Sequence, residues 1–132
     1  MKLVLLEDVR THLPRGFMPY QIYGIYVKEQ EVGRLVYREG TDEQRYYDGH
    51  IAYHIEEQYR GHHYAYYACL LLKENISKDH LIITCDPYNM ASIKTIEKLN
   101  SEYLETKKIP ASWKRYFTKD EKEKRIYRWY MR

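Results

Sequence analysis

The chain lacks most of the features that mark the large special classes of protein. It has only two cysteines, Cys69 and Cys85, with no CxxC and no Cys/His ligand spacing. That excludes a disulfide framework or a small zinc staple as the basis of the fold and leaves two reduced thiols in or near a core. No apolar run approaches the ~20 residues that cross a bilayer. The apolar start at Met1–Val9 is too short for a signal peptide and is followed by Arg10 and His12, so no membrane partner and a cytoplasmic location are expected. Charge of one sign is also missing: 22 basic and 19 acidic residues are interspersed, for a net charge of +3. The basic stretch from Lys107 to Arg125 is broken by Asp120, Glu121 and Glu123, so it reads as a solvated loop and no nucleic-acid partner is expected. Phenylalanine is scarce, 2 residues against 16 tyrosines. Tyrosine packs as an aromatic but needs a partner for its hydroxyl, so part of the apolar content belongs at a core rim or in a cleft. There is no repeat, low-complexity segment or linker, and 132 residues suit one domain, 1–132.

What is present alternates between short strand patterns and two helical ones. Lys2–Leu6, Tyr20–Lys28 and Val32–Arg38 read as strands, the last two as a hairpin across Glu29-Gln30-Glu31. Gly24, inside the second, predicts a bulge or a close approach. Glu7–Pro19 holds Pro14, Gly16 and Pro19 and reads as a loop, and Gly40–Tyr47 as a polar loop. Gly49–Ile55 alternates, with His50, Ala52 and His54 on one face. Tyr64–Lys73 reads as a helix with a stripe of Tyr64, Ala68, Leu71 and Leu72. Leu81–Thr84 suits a strand covered on both faces. Met90–Leu99 reads as a helix capped by Asn89, with Ile93, Ile96 and Leu99 inward. Glu102–Ile109 and Arg125–Met131 close the chain as strands, with a polar connection over Ala111–Lys124. The class is mixed α/β (α+β) with a mostly antiparallel sheet. The helix between Gly49–Ile55 and Leu81–Thr84 implies a right-handed crossover, which makes that pair parallel.

The stretch Asp48–Leu72 organises the rest. A strand opens through Gln58-Tyr59-Arg60-Gly61-His62-His63 into an apolar helix. Free amides of such a loop, together with the positive end of the helix dipole, suit an anion such as a phosphate. This loop, followed by Ile82-Ile83-Thr84-Cys85-Asp86 and by Asn89 with Ser92 three residues on, resembles the acetyl-CoA-dependent GNAT-type N-acyltransferases. The resemblance covers roughly Tyr20 to the C-terminus. It implies a twisted, mostly antiparallel sheet with a splayed parallel central strand pair and helices on its faces. It also implies acetyl-CoA as cosubstrate: Ile55 and Glu56 flanking the pantetheine, Arg60, Gly61, His62, His63, Tyr64 and Ala65 around the pyrophosphate, and Asn89 and Ser92 beside the acyl arm. Three positions depart from the family pattern. His63 stands where a small residue is usual, Ile96 stands where many members carry a general-acid tyrosine, and Glu7–Pro19 leaves little room for the usual N-terminal helices.

The implied reaction moves an acetyl group to a primary amine by direct attack. It needs a base for the ammonium proton, and the candidates are His54 and His50 on one face of the strand and Glu56 at its end. A non-catalytic acyl-CoA-binding or regulatory module with the same fold is the other reading. The acceptor is a small-molecule or peptide amine, and a shortened acceptor wall allows completion by a second copy in a homodimer. No metal is expected, since the adjacent His62 and His63 point apart and have no carboxylate at ligand spacing.

Overall fold

Runs rich in Ile, Val and Tyr form the strands, and the two apolar stripes form the helices. The computed structural model describes residues 1–15 and 17–132; Gly16, read above as a breaker, lies outside them. The elements are β1 (Lys2–Val9), β2 (Tyr20–Val27), β3 (Gln30–Arg38), β4 (Ile51–Ile55), α1 (Tyr64–Lys73), β5 (His80–Cys85), α2 (Met90–Lys98), β6 (Glu102–Lys108) and β7 (Glu123–Tyr130). Short 3-10 helices cover Glu57–Tyr59 and Ala111–Tyr116. The fold is the expected mixed α/β one, and the described residues between β1 and β2 hold no helix.

Hydrogen bonding divides the strands into two antiparallel sheets. One runs β1-β2-β3-β4 and the other β5-β7-β6, with the last strand in the middle of the second. β4 and β5 lie side by side at the junction of the sheets but share no ladder. The main core fills the space between the sheets and the two helices. Ile25, Leu35 and Ile51 meet Ala68, Cys69 and Leu72 of α1, Ile93 and Ile96 of α2, and Tyr127 and Trp129 of β7. Each of the Ile and Leu side chains among them contributes about 1.5–3 kcal/mol by leaving water. Cys69, not Leu71, shares the buried stripe of α1 with Ala68 and Leu72. Both cysteines are buried and free, and burial pushes the Cys69 thiol up to about 12.

β5 is covered on both faces, as its unbroken apolar run predicts. Leu81 and Ile83 enter the main core, while Ile82 joins Tyr47 and Ile126 in a smaller one closed by Trp113 and Phe117. Ala111–Lys124, expected to be a polar connection, therefore carries a wall of the fold. Most of its charges face water, but Lys124 is largely covered and pairs with Glu121, and its two core aromatics pack with Tyr47 and with strand residues distant in sequence.

Gly24 does approach its neighbours closely. A Cβ there would stand 2.7 Å from the Tyr26 ring, and the ladder slips between Ile25 and Tyr26. Gly33 is tighter. A Cβ on it would lie 2.2 Å from the carbonyl oxygen of His54 on β4, a backbone atom that cannot turn aside.

Candidate active site

The junction between the sheets is held by one histidine. His50 N donates to Ile82 O at 2.8 Å, and Ile82 N donates to His50 Nδ1 at 2.9 Å. Because Nδ1 accepts, the neutral ring carries its proton on Nε2, which donates to Gly40 O at 2.9 Å. His50 is fully buried, and burial lowers its pKa, favouring this neutral form. Gly49 makes the junction possible. Its φ is +75°, and a Cβ there would crowd Thr84 N and Ile82 O at 3.3 and 3.4 Å. Past this point β4 pairs only with β3 and β5 only with β7, so the two strands part.

At the far end of β4 the chain turns through the 3-10 helix Glu57–Tyr59 into α1. Arg60 Nε donates back to Ile55 O at 2.9 Å, tying the loop to the strand end. Gly61 has φ +93°, with no atom within 4 Å of where a Cβ would stand. His63, the residue before α1, is left-handed at φ 60°, ψ 26° and provides no side-chain cap. The first amides of α1 have no intrahelical acceptor and remain for a ligand. His62 stacks on Tyr64 with ring centroids 5.2 Å apart, and both His62 and His63 are exposed. A non-glycine residue in the left-handed region costs roughly 1–2 kcal/mol. His63→Gly is therefore expected to raise stability by about 1 kcal/mol in urea unfolding, and an unchanged midpoint would show the strain is absent.

Between the strand ends, Tyr53 reaches from β4 to α2. Its hydroxyl lies 2.9 Å from Ser92 Oγ, and burial raises its pKa, so it stays protonated at neutral pH. Asn89 caps α2 as expected, accepting from Ser92 N at 3.1 Å. Ile96 is fully buried in the core and carries no proton to this place.

On the other side of β4 a cavity of about 1000 Å³ opens. Its floor is one face of the first sheet, including Ile22, Val36 and Ala52, and Tyr53, Cys85 and Ser92 border it at the strand junction. Phe17, from the β1–β2 connection, meets Tyr116 edge to face at 5.8 Å over the opposite walls. A parted strand pair, a bare helix N-terminus at one end and a separate cavity on the same strand can hold two substrates end to end.

A family model for the acetyltransferase (GNAT) domain matches residues 8–102. The chain belongs to the GNAT acetyltransferase family. It is an acyltransferase, and acetyl-CoA is the family's acyl donor. Among solved structures it is similar to RimL, described as a ribosomal L7/L12 alpha-N-protein acetyltransferase. The apo form aligns with TM-score 0.66 at 15% identity over 85% of this chain and 70% of that one. RimL with coenzyme A, disulfide-linked to one of its cysteines, aligns at TM-score 0.64 and 16% identity over 86% and 62%. The Salmonella typhimurium protein, described as modifying the N-terminal serine of the same ribosomal protein, aligns at 0.64 and 16% over 83% and 62%. This chain spans between 59% and 70% of the RimL chains. No curated protein matches it.

Against the family pattern, the expected residues fall into separate groups. Ile55, Arg60, Gly61, His62, His63, Tyr64 and Ala65 lie at the end of β4, in the loop after it and at the start of α1, with Ile55 and Tyr64 packed partly against the main core. Asn89 and Ser92 lie at the start of α2, across the parted strands. The three base candidates do not converge. His50 is sealed at the junction with both ring nitrogens engaged, so it is unsuited to accept a substrate proton: its alternating face leads into the bend before β4, not into the cavity. His54 is exposed on β4, paired in register with Arg34, and Glu56 is exposed beyond the strand end. Sequence reasoning missed the cavity's walls. The only signal for them is the group Trp113, Tyr116 and Phe117 inside an otherwise polar segment. Among the described residues, no group of three His, Cys, Asp or Glu could hold a metal ion, and no helix is long and apolar enough to cross a membrane.

Proposed function

We propose that the protein transfers an acetyl group from acetyl-CoA to a primary amine by direct attack. The observation that carries this is the parted β4–β5 pair, which leads from the uncapped start of α1 to a cavity on the other side of β4. Acetyl-CoA, when bound, supplies a thioester carbon open to a nitrogen nucleophile and a thiolate that leaves readily. The loop amides of residues 61–65 and the Arg60 side chain would hold its diphosphate. Ile55 and Glu56 at the end of β4, where Ile55 O already accepts from Arg60 Nε, would flank the pantetheine, with Asn89 and Ser92 beside its far end. His54 shares a strand face with Ala52, which borders the cavity, and is the residue proposed to take the ammonium proton. The Tyr53–Ser92 pair can return a proton to the departing sulfur in place of a residue at Ile96. The RimL relatives act on a protein amino terminus, which supports a peptide amine as one acceptor class.

The test is calorimetric binding of coenzyme A together with thiol release from acetyl-CoA over a panel of amines and N-terminal peptides. Binding with turnover supports the enzyme reading, whereas binding with no turnover on any amine favours a non-catalytic acyl-CoA module. His54→Gln is expected to lower kcat by about 100-fold while leaving coenzyme A affinity unchanged. An unaltered kcat would move the role to Glu56.

A further inference from the structure

The cavity is bipolar. Its floor follows the period of the sheet: Tyr20 pairs with Arg38, Ile22 with Val36, and Val36 with Ala52, so these side chains share one face. Most of its charges are already neutralised. Arg45 Nη1 meets Asp48 Oδ2 at 3.1 Å, and Lys124 Nζ meets Glu121 Oε2 at 2.9 Å. Arg115 is exposed at the rim, bound to the Tyr116 hydroxyl at 2.9 Å.

Apart from Arg115 at the exposed rim, two unpaired charges remain, at opposite ends. Asp86 follows β5, beside Asn89; its Oδ1 accepts from Tyr88 N at 2.8 Å, and it makes no ion pair among the described residues. Arg38 lies at the other end of the floor. Its Nη1 donates to Asp48 O at 3.0 Å and Gly49 O at 3.2 Å, and no carboxylate among the described residues comes within ion-pair range. Among the described residues Nε and Nη2 have no hydrogen-bond partner, neither is a sealed buried atom, and Arg38 lines the cavity. Arg38 is largely buried, Asp48 acts on it only from beyond ion-pair range, and burial weighs against its charge here. A planar fork of free donors suits a carboxylate or phosphate.

We propose that the acceptor is an amine that also carries an anionic group, held by Arg38, while its nitrogen lies toward Asp86 and Ser92. This rests on the acetyl-transfer reading above for the direction of the amine. Arg38 stands two residues along β3 from Val36, the partner of Ala52, a displacement of about 7 Å. The anion is therefore several bonds from the reacting nitrogen, as in a short amino acid, a phosphorylated amino alcohol or an acidic peptide terminus. A second cation on the acceptor, as in a diamine, is disfavoured.

Trp113 borders the cavity and its fluorescence reports occupancy, whereas Trp129 is buried in the core. The protein is titrated with β-alanine, phosphoethanolamine, propylamine and putrescine, with and without coenzyme A. The expected result is binding of one or both anionic amines about ten-fold or more tighter than propylamine, with putrescine weakest. Arg38→Met removes the preference, and Arg38→Lys, which keeps the charge and can still reach the Asp48 and Gly49 carbonyls, retains part of it. Whether β-alanine or phosphoethanolamine wins distinguishes carboxylate from phosphate. Equal binding of all four amines, or a preference that survives in folded Arg38→Met, overturns the proposal. Loss of coenzyme A binding with the anion preference intact would instead overturn the acetyl-transfer reading.

Discussion

Gly33→Ala is expected to cost about 3 kcal/mol or more of stability, a large part of what a domain of this size has. The new methyl would meet the His54 carbonyl oxygen at 2.2 Å, with Ile55 Cα at 3.0 Å behind it. Neither is a side chain that can rotate, so β3 and β4 must separate where Gly33 faces Ile55. The bond from Glu56 N to Val32 O, 2.9 Å, lies in the same place and is strained by the same movement. The strand end that presents Ile55 and the Arg60 loop then shifts. Coenzyme A affinity should fall together with the urea midpoint. A variant with the parent's midpoint would show that the strands have slack the close contact does not suggest.

His50→Ala is expected to cost about 3–4 kcal/mol, because it leaves the buried Ile82 N–H without an acceptor and opens a void where the sheets join. Gly40 O keeps a second donor in Lys78 Nζ at 2.9 Å, so the loss centres on Ile82. His50→Asn can still offer an oxygen near the Nδ1 position and should recover part of the loss. The same histidine sets a pH dependence. Its folded pKa lies below the ordinary value near 6.5, so the unfolded chain binds the proton first as pH falls. This contribution is complete above about pH 6.5 and declines below it, by up to ~1.4 kcal/mol per pH unit. Urea midpoints between pH 7 and 5 should fall in the parent and fall less in His50→Asn. Parallel slopes would show that His50 does not carry this dependence.

These two positions also mark the limit of what a linear reading reaches. Alternation made His50 and His54 equivalent members of one strand face. The bend at Gly49 breaks that equivalence, turning His50 into the junction while His54 stays exposed on β4. Gly33 gives no local sign, because what it touches belongs to a strand some twenty residues later. Arg38 looks like an ordinary strand-end charge until the ladder puts it on the face it shares with Val36 and the parted strands open a cavity over that face. Trp113 and Phe117 of Ala111–Lys124 pack because the fold brings Tyr47, Ile82 of β5 and Ile126 of β7 together beside them.

The local physics of the chain determined much by itself. Periodicity marked the seven strands and two helices, Asn89 announced its cap, and the Gln58–Ala65 loop with Asn89 and Ser92 carried the family resemblance, because turn chemistry, capping and a phosphate loop are written in neighbouring residues. Tertiary structure decided the division into two sheets, the burial of His50, the bipolar cavity and the unpaired Arg38. Each of those depends on which distant residues share a face, and strand register is set only when the strands pair.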